Sequence, residues 1–179
     1  MNTLVIYRSV SGFTKRYAEW IAEELSATLL PQPQADIDTM KQHDLIIYGG
    51  PLHAVGITGV DLIKKNLNAL PGVRVLVFAV GASPPKEGLL EELFSNNFGE
   101  SQRERIKLFY LRGGFDFNKL NLPNRLVMRA MKWKIKTTPA AERSADETGM
   151  LQAFDNPVDF TARENIEPLV SWAKALQQA

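Results

Sequence analysis

Five short runs of almost unbroken apolar residues, spaced by helical patterns, restrict this chain to a narrow set of folds. The first is Thr3-Leu4-Val5-Ile6-Tyr7; the others occupy residues 28–30, 45–48, 73–80 and 107–111. None alternates apolar with polar residues, as a strand does when one face meets water, so they read as strands covered on both faces. Helical spacing links Tyr17, Trp20, Ile21 and Leu25, then Val60, Leu62, Ile63 and Leu67, then Leu89, Leu90, Leu93 and Phe94. A last helix carries Ile166, Leu169, Val170, Ala173 and Leu176. Thr161-x-x-Glu164 has the spacing of a capping box for that helix, whereas Pro168 favours a start nearer Asn165. Strands alternating with helices predict an α/β fold, a doubly wound five-stranded parallel sheet with helices on both faces. At 179 residues the chain is expected to form one domain over 1–179, large enough to bury a sizeable core.

The first strand runs directly into Ser9-Val10-Ser11-Gly12-Phe13-Thr14 and then into a helix. The N–H groups at a helix start have no intrahelical partner, and the helix dipole favours an anion there. Three hydroxyls, of Ser9, Ser11 and Thr14, add donors, and Gly12 permits close backbone approach. No cationic side chain follows Arg8 in the loop, so a phosphate would rest on neutral donors. The competing reading is that Ser11 or Thr14 simply caps the helix. Position favours the phosphate, because the first strand–helix junction of such a sheet is where mononucleotides sit. Loops after the third and fourth strands should close over the same ligand. They read Gly49-Gly50-Pro51-Leu52-His53-Ala54-Val55-Gly56 and Gly81-Ala82-Ser83-Pro84-Pro85, which as Gly/Pro clusters are also compatible with ordinary turns.

Composition removes several classes of chemistry. The chain has no cysteine, hence no disulfide, no thiol nucleophile and no cysteine-ligated metal or cluster. No charged-then-apolar leader and no membrane-length apolar run is present, and a cytoplasmic location is expected. The formal net charge is +1, yet Lys119, Arg125, Arg129, Lys132, Lys134 and Lys136 fall in one stretch without a single acid. They belong to residues 113–156, too long for a connection between the last strand and last helix. Leu122, Leu126, Met128, Met131 and Ile135 predict an extra basic helix within it.

The loop from Ser9 to Thr14 resembles the phosphate loop of the flavodoxin family, Thr/Ser-x-Thr-Gly-x-Thr, with Ser9, Ser11, Gly12 and Thr14 at matching positions. Phe13 stands where the family usually has a polar residue, leaving its backbone N–H for the ligand. The resemblance implies FMN as cofactor, held by Ser9, Val10, Ser11, Gly12, Phe13 and Thr14. It also implies a wall formed by Pro51, Leu52 and His53, with His53 in the place of the aromatic residue against the flavin ring. Gly56 would supply the flexible peptide facing the ring's N5, and Gly81 and Ala82 would lie along the pyrimidine edge. The long insert after Phe109-Tyr110-Leu111-Arg112-Gly113-Gly114 is similar to the branch that includes the quinone-dependent protoporphyrinogen oxidase of bacteria. This chain has His53-Ala54-Val55 where that enzyme has an Arg-Tyr pair.

The resemblance thus implies an electron-transferring flavoprotein acting between a reductase and an acceptor, with no catalytic side chain and no metal; the cofactor carries the redox chemistry. One alternative is flavin-dependent oxidation of a substrate, of the protoporphyrinogen oxidase type. Another is a non-enzymatic binding module on the same fold. A phospho-acceptor receiver would need acidic strand ends, but these read Tyr7-Arg8 and Tyr48-Gly49-Gly50. The expected partner is a redox protein, with weak contact to a membrane surface or quinone through the basic insert, and no nucleic acid. The plainer account of the insert is a solvated basic face whose apolar side covers the sheet edge.

Overall fold

Strand β1 (Thr3–Tyr7) is buried along nearly its whole length, and its alternate side chains feed two separate cores. Leu4 and Ile6 point to one face of the sheet and Val5 to the other. This is the two-sided burial that its unbroken apolar sequence predicts. The computed structural model describes residues 1–178. Helix α1 (Phe13–Leu25) follows, then edge strand β2 (Thr28–Pro31) and the short α2 (Ile37–Lys41). Next come β3 (Leu45–His53), β4 (Gly56–Ile57), α3 (Asp61–Asn66), β5 (Arg74–Gly81), α4 (Leu89–Asn97) and β6 (Ile106–Arg112).

The main sheet has the order β2-β1-β3-β5-β6, every pair parallel, with β4 folded back antiparallel on β3. One core lies under α2, α3 and α4 and contains Leu4, Ile6, Met40, Ile46, Ile63, Val77, Leu93 and Phe94. The other lies under α1 and the last helix, α7 (Glu167–Gln178), with Val5, Tyr17, Ile21, Ile47, Phe78, Leu169 and Ala173. Each fully buried large apolar side chain contributes roughly 1.5–3 kcal/mol, so both faces are strongly driven to close. Edge strand β2 ends in Pro31, which cannot donate a ladder bond and discourages further pairing.

The insert differs from expectation in having two helices. After β6 the chain forms β7 (Gly114–Phe115), α5 (Leu122–Thr137), α6 (Ala145–Asp155) and β8 (Val158–Asp159). Strands β7 and β8 pair antiparallel, so the excursion leaves and returns at the same place. Its small core joins Phe115, Phe117 and Phe154, with ring centroids 5.2 and 5.4 Å apart, beside buried Ile135 and Ala153. Lys132 and Arg125 place their charges over the Phe154 and Phe117 rings, at 4.8 and 5.3 Å.

Of the two expected starts for α7, the capping box fails and the one nearer Asn165 holds to within two residues. Thr161 makes no capping box; its N–H and hydroxyl both donate to Asp159, and a 3-10 turn over Arg163–Ile166 precedes the helix. Among the described residues, no helix is long and apolar enough to cross a membrane.

Candidate functional site

The sheet order makes β1, β3 and β5 immediate neighbours, so the loops leaving their carboxyl ends share one edge. Register fixes their height: Tyr7 pairs with Gly49, Gly49 with Phe78, and Pro51 with Val80. The Arg8 N–H donates to the Gly49 carbonyl at 2.9 Å, tying the start of the first loop to β3. The three segments anticipated from sequence therefore converge, as a switch-point site requires.

In the first loop, Gly12 holds φ 95°, a left-handed conformation that other residues adopt only with strain. It occupies the position just before α1, and no side chain caps the helix there. The first intrahelical bond runs from the Arg16 N–H to the Gly12 carbonyl at 3.0 Å, which leaves the first-turn donors to an outside partner. Neither Ser11 nor Thr14 is the cap that the plainer reading requires. Ser9 Oγ accepts the Gly12 N–H at 3.1 Å, closing the loop and leaving its own O–H free to donate. A Cβ added at Gly12 would meet nothing within 4 Å, so the loop opens outward above this backbone. Thr14 is buried, Ser9, Val10 and Ser11 are half-buried, and the buried Phe13 ring packs against Gly114.

The second loop is not a loop for most of its length. Strand β3 continues through Pro51 and Leu52 to His53, then turns back into β4 with Leu52 opposite Ile57 and His53 opposite Gly56. The glycines beneath it serve packing. A Cβ at Gly49 would collide with the Phe78 ring, and one at Gly50 would come within 2.6 Å of the Thr58 carbonyl oxygen. His53 is exposed beside the tip of the hairpin, and Ala54 carries the turn at φ 52°. Gly56, expected to supply a flexible peptide, lies within the paired strand at an ordinary φ.

Two residues that sequence reasoning did not single out hold this hairpin. Asn97, buried at the end of α4, donates to the Val55 carbonyl at 2.8 Å and accepts the Ile57 N–H at 2.7 Å. Tyr48 donates to the Thr58 carbonyl at 2.8 Å, and burial raises its phenol well above the usual tyrosine range. The third loop starts from Gly81, against which Leu52 and the Tyr110 ring pack closely enough to exclude a side chain. Tyr110 donates to the Ser83 carbonyl at 2.5 Å, and burial pushes its phenol up to about 12. These phenols stay protonated at neutral pH and act as fixed donors.

The match that decides the family spans residues 4–141, which fit the model of the flavodoxin domain. The chain belongs to the flavodoxin-domain family. No curated protein sequence matches it. Among solved structures, a flavodoxin from the domain Archaea is 21% identical with a TM-score of 0.46, over 63% of this chain and 82% of that one. A flavoprotein from Lactobacillus acidophilus NCFM, solved in complex with FMN, is also 21% identical, with a TM-score of 0.42 over 62% of this chain and 91% of that one. Megasphaera elsdenii flavodoxin is 13% identical, with a TM-score of 0.43 over 60% and 84%.

This flavodoxin domain has a further cavity, of about 400 Å³, lined by Pro85, Tyr110, Arg112, Phe160 and Asn165. It lies at the β6 end of the sheet edge, beyond β5. Arg112 stacks on the Phe160 ring at 3.6 Å and donates to the Ala82 carbonyl at 3.2 Å. Tyr17 donates to the Arg112 carbonyl at 2.6 Å and accepts from Asn165 at 2.7 Å, which joins α1, β6 and the segment before α7 in one network. No local sequence signal points to this network, because its members lie up to 148 positions apart.

Proposed function

We propose that this domain binds FMN across the three loops and serves as an electron carrier between a reductase and an acceptor protein. The observation that carries the reading is the uncapped start of α1 beneath Ser9, Ser11 and Gly12, where neutral donors converge on open space. That arrangement suits a single phosphate, and the donor set fits the cofactor. Bound FMN would supply the redox chemistry, taking up and releasing electrons at its isoalloxazine ring. The chain's own part is to bind and orient. Backbone N–H groups of Phe13 and Thr14 and the hydroxyls of Ser9, Ser11 and Thr14 would hold the phosphate. Pro51, Leu52 and His53 would form a wall for the ring, and Gly81 and Ala82 would lie along its pyrimidine edge. The carrier would act in the cytoplasm, meeting its protein partners at the sheet edge that carries the ring.

The test is a titration of apoprotein with FMN, riboflavin and FAD. Binding of FMN well ahead of riboflavin supports the phosphate loop, and equal affinity for the two refutes it.

A second reading is oxidation of a bound substrate, of the protoporphyrinogen oxidase type. It is favoured by the cavity beside the 82–85 loop, where the Arg112 guanidinium stacks on an aromatic ring and would suit a substrate carboxylate. Anaerobic bleaching of the oxidised holoprotein by a porphyrinogen, with no protein partner added, would favour it over the carrier.

A further inference from the structure

Helix α5 presents its apolar side outward. The expected stripe of Leu122, Leu126, Met128, Met131 and Ile135 does not cover a sheet edge as a unit. Ile135 is buried within the insert and Met128 is half-buried, whereas Leu122 is 75% exposed, Leu126 65% and Trp133 72%. At 100° per residue, Leu122, Leu126, Ala130 and Trp133 fall within one stripe about 80° wide. The same geometry places Arg125, Arg129 and Lys136 along one border of the stripe and Lys134 along the other. Val127 and Met131, also exposed, lie just beyond Lys134.

The charges around this stripe are only partly committed: Arg125 and Arg129 lie over the Phe117 ring, at 5.3 and 5.9 Å. Lys119 pairs with Asp116 at 3.6 Å and Lys132 with Asp155 at 3.0 Å. Among the described residues, Arg125, Arg129, Lys134 and Lys136 have no carboxylate within 4.0 Å. An apolar stripe bordered on both sides by cations, on a helix without an acid, is the pattern of a helix lying in the plane of a lipid interface. A neutral groove would leave both rows of cations without counter-charge, whereas anionic headgroups flank an inserted stripe on both sides.

We propose that α5 docks this protein on anionic membrane surfaces, with Leu122, Leu126 and Trp133 entering the interface and the exposed Arg129, Lys134 and Lys136 meeting lipid phosphates. The helix is about 24 Å long and joins the rest of the chain through the β7–β8 pair. The proposal does not depend on the flavin reading.

Flotation of the full chain with vesicles tests it. Binding is expected to phosphatidylcholine vesicles containing phosphatidylglycerol and to be weak with phosphatidylcholine alone. Reversing Arg129 and Lys134 to Glu should weaken partition by more than tenfold, since each cation at an anionic surface is worth about fivefold. L126E/W133E should abolish binding while far-ultraviolet circular dichroism stays unchanged, because both side chains are solvent-exposed. Trp133 emission should shift to the blue on binding, a change absent in W133F, although Trp20 and Trp172 remain. Failure to float with anionic vesicles overturns the proposal. So does a loss of self-association in L126E/W133E without vesicle binding in the parent, which would assign the stripe to a second copy.

Discussion

Asn97 accepts the Ile57 N–H through Oδ1 at 2.7 Å, one of two bonds by which this side chain ties the hairpin carrying His53 to helix α4. The same side chain donates to the Val55 and Leu93 carbonyls at 2.8 and 2.7 Å, so its amide is fully engaged within a buried pocket. Asn97→Ala would strand the buried Ile57 N–H and take a donor from the Val55 carbonyl. The expected loss is about 2–3 kcal/mol of stability by urea denaturation, because unsatisfied buried groups cost more than the bonds themselves contribute. Amide exchange should accelerate at residues 53–57 before it does in β1.

Ser11→Ala and Thr14→Val test the phosphate loop. Each removes a hydroxyl donor that would face a charged acceptor, worth roughly 1.5–3 kcal/mol. FMN affinity should fall about ten- to hundredfold for each, and riboflavin affinity should stay unchanged. Thr14 is buried, so valine keeps its shape and separates binding from folding. An unchanged FMN affinity in both variants would return these residues to a structural role.

His53 stands exposed beside the tip of the β3–β4 hairpin. If it stacks on the flavin, His53→Tyr should keep or tighten FMN binding through a larger π-face, and His53→Ala should weaken it. Flavin fluorescence quenching and the midpoint potentials report the contact directly. Identical values in parent and His53→Ala would place the imidazole away from the ring.

Asp159 links the return of the insert to α1, accepting from Arg16 at 2.6 Å and from Thr161. Partial burial works to raise its carboxyl, but the bonds from Thr161 and Arg16 outweigh it and hold the group below the usual aspartate range. A folded-state value below the unfolded one, near about 3.9, means that the stabilisation is complete above that pH. It is lost as pH falls through the depressed value. Unfolding free energy measured from about pH 6 down to about pH 3 should therefore decline more steeply in the parent than in Asp159→Asn. The pair is well exposed, so the difference will be small.

The parallel sheet was legible because its strands carry a local signal, unbroken apolar runs, and strand order follows from general rules. The open, uncapped turn from Ser9 to Thr14 was legible for the same reason, since its residues are consecutive. Elsewhere identical signals had different outcomes. Ser144-x-x-Glu147 forms a complete capping box for α6, while Thr161-x-x-Glu164, with the same spacing, does not. The difference lies in Asp159, whose carboxylate takes both the N–H and hydroxyl of Thr161. Gly49 and Gly50 looked like turn residues, but their cause is the Phe78 ring and the Thr58 carbonyl, contacts set by register. The outward side of α5 was hidden because periodicity reports a stripe and not the direction in which it faces.

The β7–β8 clasp has a consequence for how this fold can vary. It pins Phe115 to Val158, so everything between them hangs from one closed junction. Closing such a junction around a flexible chain becomes only about 0.6 kcal/mol harder when the chain doubles in length. The appendage can therefore grow, shrink or be exchanged with little strain on the sheet or on the final helix. A lineage could retool what this protein touches while leaving its interior unaltered.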